Sequence, residues 1–355
     1  MRKSLKLCHL IDRGEDSDGH FLSLHRSLQL CILDGLSGDK ATRNIVFDRA
    51  FELIRPQLPP ASKIEISEPG VFHKYAKYVP QVISLRTHSL WPQPPLKLSL
   101  EFARVLANIG IYMWNVGLLK DGIAALETAE DVLQDLGHDK DDLMSEIDIP
   151  LGIIFDFVGV SQRKKALFHR ERALGIRTRT FDTIPKNDRT ITDKIRLFNV
   201  EADTGCALLQ QERFGEAMKK FESCLLQYKS WETIPEKLPF EYSKYYNHSA
   251  FVLTSQGRYD EAIASSSRAC ELLELHSGPT SPLVLLYRFV LGNHLFHSSD
   301  LFKSLKLNEE VLQKRRDICG ETNPYTQESY SFTGMLLGLC KQHKKARYGN
   351  LNDRW

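Results

Sequence analysis

A trio of small residues, spaced twelve and then seven positions apart, returns along most of this 355-residue chain. It reads Gly110, Gly122, Ala129, then Gly205, Ala217, Cys224, then Ala250, Ala262, Ala269. A looser copy is Gly292, Ser304, Val311, and Ile154, Ala166, Ala173 keeps two of the three. Gly334 and Ala346 start a last, truncated copy. A fixed internal period constrains a fold more than any single motif, because each copy is one unit that must stack on its neighbours to bury its apolar face.

The spacing has a packing reason. Where two helix backbones approach within about 8–10 Å, a large side chain does not fit between them. The first small residue then belongs to one helix and the second to its returning partner. The third, two turns on, admits the first helix of the next pair. Larger apolar residues at helical spacing lie between them, Leu253 and Ile263 in one copy, Leu208 and Phe221 in another. Gly117, Gly257 or polar Ser299 mark the turns. The second small positions, 122, 166, 217, 262, 304 and 346, imply about six helix pairs, the last truncated, from residue 98 to the end.

The trio resembles the tetratricopeptide repeat, a right-handed all-α solenoid. The copies are longer than that family's 34-residue period and resemble the kinesin-light-chain type, which carries a Gly-x-x-His-Pro loop before each first helix. Here Gly278-Pro279-Thr280-Ser281-Pro282 and Gly320-Glu321-Thr322-Asn323-Pro324 keep the Gly and Pro, with Ser281 and Asn323 in the His position. HEAT and armadillo arrays have similar periods, and the small-residue trio favours the tetratricopeptide reading.

The first hundred residues read differently. Ser4 to Ile11 suits a strand, Asp12 to Gly19 a polar turn, His20 to Leu24 a return strand, and His25 to Leu36 a helix. This resembles the tail of a winged-helix domain over residues 1–37, followed by a helical segment over 38–97. Leu22-Ser23-Leu24-His25-Arg26-Ser27-Leu28-Gln29, Val46-Phe47-Asp48-Arg49-Ala50 and Tyr78-Val79-Pro80-Gln81-Val82 are similar to segments of fungal NOD-like receptors, nucleotide-switch ATPases of the STAND class. In that family the matching His lies near the nucleotide. For His25 the plainer alternative is a residue that caps or packs at the strand–helix junction. No Gly-x-x-x-x-Gly-Lys-Ser/Thr loop occurs, so the chain holds no phosphate cradle of that kind.

Other chemistry finds little footing. A net charge of +2 gives no field for gathering nucleic acid or anionic membrane. Basic runs such as Arg163-Lys164-Lys165 lack interleaved aromatics and read as solvated helix faces. Seven cysteines include no C-x-x-C pair and suggest reduced thiols in a cytoplasmic protein. The apolar runs at 149–160 and 282–296 are broken by Asp156 and Arg288 and fall short of a membrane span. His294 and His297 share a helix without the further ligands a zinc site needs. We therefore expect no cofactor, no metal and no catalysis.

The expected function is that of an interaction scaffold, with a peptide or partner protein on the concave face lined by successive first helices. Arg104, Asn108, Asn199, Lys244, Asn247, His248 and Asn293 are the expected groove residues, where amides and a lysine grip a backbone or carboxylate. The bland alternative is that each is a solvated polar position. Following the receptor resemblance, the second reading is a sensing arm, split or truncated from its receptor, that works with a nucleotide-binding ATPase chain.

Overall fold

In the computed structural model, four hairpin turns share one backbone geometry. Gly117, Glu212, Gly257 and Ser299 take left-handed φ values of 77°, 62°, 74° and 68°. The next amide bonds back to the carbonyl five residues earlier, Leu118 to Met113 at 2.8 Å, Arg213 to Leu208 at 3.0 Å, Arg258 to Leu253 at 2.9 Å and Asp300 to Leu295 at 3.0 Å. This is the Schellman closure of a helix C-terminus. The repeat is thus expressed in the backbone even where the turn residue is not glycine.

The structure describes residues 11–16, 19–24, 26–58, 72–90, 95–137, 142–231 and 234–352. The chain is all-α in its bulk. It divides into two compact units, residues 1–58 with 78–99, and 59–77 with 100–355. In the first unit, β1 (Ile11–Asp16) pairs antiparallel with β2 (Gly19–Leu24), Ile11 opposite Leu24 and Asp16 opposite Gly19. The stretch expected as a polar turn is therefore mostly strand, because a two-residue connection is enough to reverse a β-ribbon. Most of the strand expected at Ser4 to Ile11 lies outside the described residues, and so does His25. Helices α1 (Arg26–Ser37) and α2 (Lys40–Ile54) follow, and residues 78–90 of α3 (Phe72–Leu90) belong to the same unit. Asp39 caps α2 by accepting from the amides of Ala41 and Thr42. Helix α1 packs on α2, so the expected boundary at residue 37 falls inside a unit.

The second unit holds the array. Its pairs are α4 (Leu100–Asn115) with α5 (Leu119–Asp135), α6 (Asp142–Val158) with α7 (Arg163–Thr183), and α8 (Ile191–Gln210) with α9 (Phe214–Ser230). Then come α10 (Pro239–Ser255) with α11 (Tyr259–Ser277), and α12 (Pro282–His297) with α13 (Leu301–Cys319). Prolines open α10 and α12, where a missing N–H is harmless.

The small residues sit at the crossings. Ala129, Ala166, Ala173, Ala217, Ala250, Ala262, Ala269 and Ser304 are fully buried. Gly122 faces Gly110, where a methyl would stand 3.8 Å from the Gly110 carbonyl oxygen. A methyl on Gly205 would stand 2.7 Å from the Phe221 ring. Ser304 donates to the Gly292 carbonyl at 2.8 Å, and Asn308 fills the space beside Gly292. In the second pair the close approach belongs to Gly152, which the trio did not single out. A methyl there would stand 2.7 Å from Arg170 Cγ and 3.1 Å from the Ala166 carbonyl oxygen. That pair also lacks the shared turn, since Gly159 takes φ 147° and a short tight turn, Val160–Gln162, follows.

The end of the array differs from the expectation. Residues Pro324–Asn352 form one continuous helix, α14, instead of a sixth pair. Gly334 is exposed with nothing near its Cβ position, and the Ala346 side chain lies outside the described residues. The buried residues Tyr325, Ser329, Thr333, Leu336 and Cys340 recur at helical spacing and form the inner stripe of α14, which packs on α13.

Candidate functional site

Within the second unit, α4, α6, α8, α10 and α12 each present one face to a common cavity of about 290 Å³. These are the first helices of the five pairs. Arg170 from α7 and Glu328 from α14 complete the lining. Of the residues expected in a groove, Asn199, Lys244, Asn247, His248 and Asn293 line this cavity. Arg104 and Asn108, on the first half of α4, do not. The Arg104 side chain is 48% exposed and lies 3.7 Å from Glu146.

The last helix is tied back to the first pair of the array. Tyr325, at the start of α14, donates its hydroxyl to the Trp114 carbonyl at 2.9 Å. Asn323 donates to the Val116 carbonyl at 2.6 Å, while its own oxygen accepts from the Tyr325 amide at 2.9 Å. The Tyr325 ring packs edge-on to Phe157, centroids 6.3 Å apart, and lies over Gly117. Asn323 holds the position where kinesin-light-chain-like loops carry histidine. Here it caps a helix and fastens the last helix to the first pair.

A chain of alternating charges runs across the cavity. Asp156 meets Arg170 at 2.6 Å, and Arg170 also donates to the Asp203 carbonyl at 2.8 Å. The Asp203 carboxylate meets Lys244 at 2.6 Å, and Lys244 donates to the Asn199 carbonyl at 3.1 Å. All four charged side chains are less than a tenth exposed. The chain links α6, α7, α8 and α10 with two negative and two positive charges. Gly152 makes it possible, since any side chain there would displace the stem of Arg170. Lys244 is therefore an internal structural cation and not the exposed grip expected from sequence.

Several buried polar atoms in this region have no hydrogen-bond partner within the protein. They are Asp156 Oδ1, Asn199 Oδ1, Asn247 Oδ1, Arg170 Nε and Trp114 Nε1. Buried polar groups are nearly always satisfied, and these five atoms all belong to residues that line the cavity.

Burial dominates the electrostatics of the lining. Burial, with the cations Lys244 and Arg170 nearby, lowers the His248 pKa to about 3, so the ring is neutral and stacks on Phe221 at 5.6 Å between centroids. Burial pushes the Cys206 thiol up to about 12, where it is a weak hydrogen-bonding group and a poor nucleophile. Burial also raises Asp156, against the pull of Arg170 and Arg163. Glu241, buried beside Asn199 and Lys244, is raised by the same cause. His294 donates to or accepts from Thr254 at 2.7 Å, and its partner in sequence, His297, is exposed. Among the described residues no three His, Cys, Asp or Glu side chains come together as metal ligands. No described helix is long and apolar enough to cross a membrane.

Sequence reasoning missed Asp156, Arg170 and Asp203. Asp156 carried a signal, a lone charge inside an apolar run, which marks a buried pair as readily as a broken membrane span. Arg170 carried none, because α7 bears basic residues on every side.

No protein-family model and no curated protein matches this sequence. Among solved structures, a MamA RS-1 ArsTM double mutant is similar at 14% identity, covering 61% of this chain and 95% of that one, with a TM-score of 0.32. The TPR2AB domain of yeast Sti1 in complex with pHSP90 is similar at 14% identity, covering 76% of this chain and 96% of that one, with a TM-score of 0.29.

Proposed function

We propose that this chain is a non-catalytic interaction scaffold whose tetratricopeptide-like, right-handed helical array holds a peptide or partner-protein segment in the central cavity. The observation that carries this reading is the convergence of five first helices on one cavity whose lining residues include several with unpartnered buried polar atoms. The protein acts in the cytoplasm, and neither nucleic acid nor membrane is its target. A random-peptide display selection on the purified chain tests it. Asn293 lines the cavity and is half-buried, so Asn293→Trp fills the space without removing a charge. Selected peptides should lose binding to that variant while its melting temperature stays near that of the parent. Peptides that bind both proteins equally would sink the cavity assignment.

The motifs at Leu22–Gln29, Val46–Ala50 and Tyr78–Val82 support a second reading, in which hairpin and α1 are a winged-helix remnant and the array is the sensing arm of a fungal NOD-like receptor. In this reading the partner is a nucleotide-binding ATPase chain. Co-purification from the native host with such a chain, lost on deleting residues 1–37, is the expected result. Partners that are unchanged by the deletion would remove it.

A further inference from the structure

The cavity also states what kind of group it takes, an inference that rests on the reading above and deepens it. Its volume of about 290 Å³ lies at the lower end of small-ligand sites, so it accepts one bulky group and excludes a folded domain. Trp114, Phe157, Phe251 and Phe289 supply an aromatic wall. Aromatic rings pack well against another flat ring, edge-on or offset.

The polar side is more selective. Asp156 and Asp203 are balanced by Arg170 and Lys244, each within 2.6 Å of its partner. The remaining lining carboxylate, Glu328, meets Arg315 at 3.5 Å, so a ligand bringing net charge would be desolvated there with every lining charge already paired. Three of the unpartnered atoms, Asp156 Oδ1, Asn199 Oδ1 and Asn247 Oδ1, are acceptors, and they call for N–H or O–H donors. The geometry points to an uncharged aromatic group carrying a hydrogen-bond donor, such as an indole flanked by amide N–H groups, as the occupant of this cavity.

N-acetyltryptophanamide is the probe, titrated calorimetrically into the full chain. It should bind at least tenfold more tightly than tryptophanamide, which adds an ammonium, or N-acetyltryptophan, which adds a carboxylate. Asn247→Leu removes one acceptor without breaking an ion pair and should weaken the probe about tenfold. The ranking of the three probes on the unaltered chain needs no variant and stands if that variant fails to fold. A charged analogue binding as well as the neutral one overturns the inference, as does no detectable binding of the neutral probe. An unchanged affinity in folded Asn247→Leu also overturns it. A capped Gly-Trp-Gly peptide separates the sources. Tighter binding than the single residue assigns the group to a peptide, equal binding assigns it to a free small molecule, and both support the inference. If the ranking fails while Asn293→Trp still blocks selected peptides, the scaffold reading stands and only the ligand class falls.

Discussion

The Tyr325 hydroxyl bonds the Trp114 carbonyl at 2.9 Å across 211 residues of sequence. With the Asn323 bond to Val116 it joins the start of the last helix to the first turn of the array. Tyr325→Phe with Asn323→Ala should cost about 1–3 kcal/mol, since each lost hydrogen bond is worth roughly 0.5–1.5 kcal/mol. Hydrogen exchange should then speed up together at residues 114–118 and at the start of α14. Faster exchange at one end alone would show that the two ends are not coupled.

The register of the array predicts unequal effects from two similar changes. Ala262 is fully buried at a helix crossing and Lys219 is exposed. Ala262→Leu should destabilise by about 1–3 kcal/mol through overpacking, and Lys219→Leu by roughly 0.5 kcal/mol or less. Urea unfolding curves with unchanged slopes make the comparison.

Two of the shared turns carry a residue ill suited to them. Glu212 and Ser299 hold left-handed φ values of 62° and 68° that glycine adopts without strain. Ser299→Gly and Glu212→Gly should each raise stability by about 0.5–1 kcal/mol, while Gly257→Ala should lower it by a similar amount. A fall in melting temperature for both glycine variants would contradict the turn geometry.

Acid should reveal the buried imidazoles. His248 is lowered to about 3 and His294 to about 4, both chiefly by burial. In the unfolded chain they protonate near 6.5, so the unfolded state binds more protons between those values and stability falls as pH drops through that window. The raised carboxyls Asp156 and Glu241 act in the opposite sense, losing their contribution as pH rises above their unfolded values. His294→Gln isolates one contribution. Between pH 4 and 6.5 its stability should depend on pH less steeply than the parent's, by about 1 kcal/mol per unit. Parallel curves would mean the ring is not held neutral.

Breaking the charge chain should be severe. Lys244→Met leaves Asp203 buried without its cation and should cost about 3–5 kcal/mol, and adding Asp203→Asn should restore part of it. A double-mutant cycle reads the coupling directly. Additive losses would show that the pair does not interact.

The repeat was legible because its signal is local. Ala250, Ala262 and Ala269 have one steric reason and one spacing, and all three are fully buried. The cavity was partly legible, since Asn199, Asn247, His248 and Asn293 lie on successive first helices, whose inner faces line it. What could not be read depends on distance. Nothing in Asn323 or Tyr325 announces a partner more than two hundred residues away. Arg170 looks solvated until Gly152 is seen to make room for its stem. Gly334 misled because a glycine inside a helix costs only about 1 kcal/mol and need not mark a crossing or a stop.

The Asp156–Arg170–Asp203–Lys244 chain has a consequence beyond strength. Helix hairpins packed through small residues can slide along one another, since alanine meets alanine with little preference for stagger. One turn of slip moves a helix by about 5.4 Å. That is enough to strand an aspartate and a cation in the dry interior at the same time. The alternating charges thus act as an index, permitting a single stagger of three neighbouring pairs. The stagger that shapes the space between them is held by electrostatic matching as well as by the small-residue crossings.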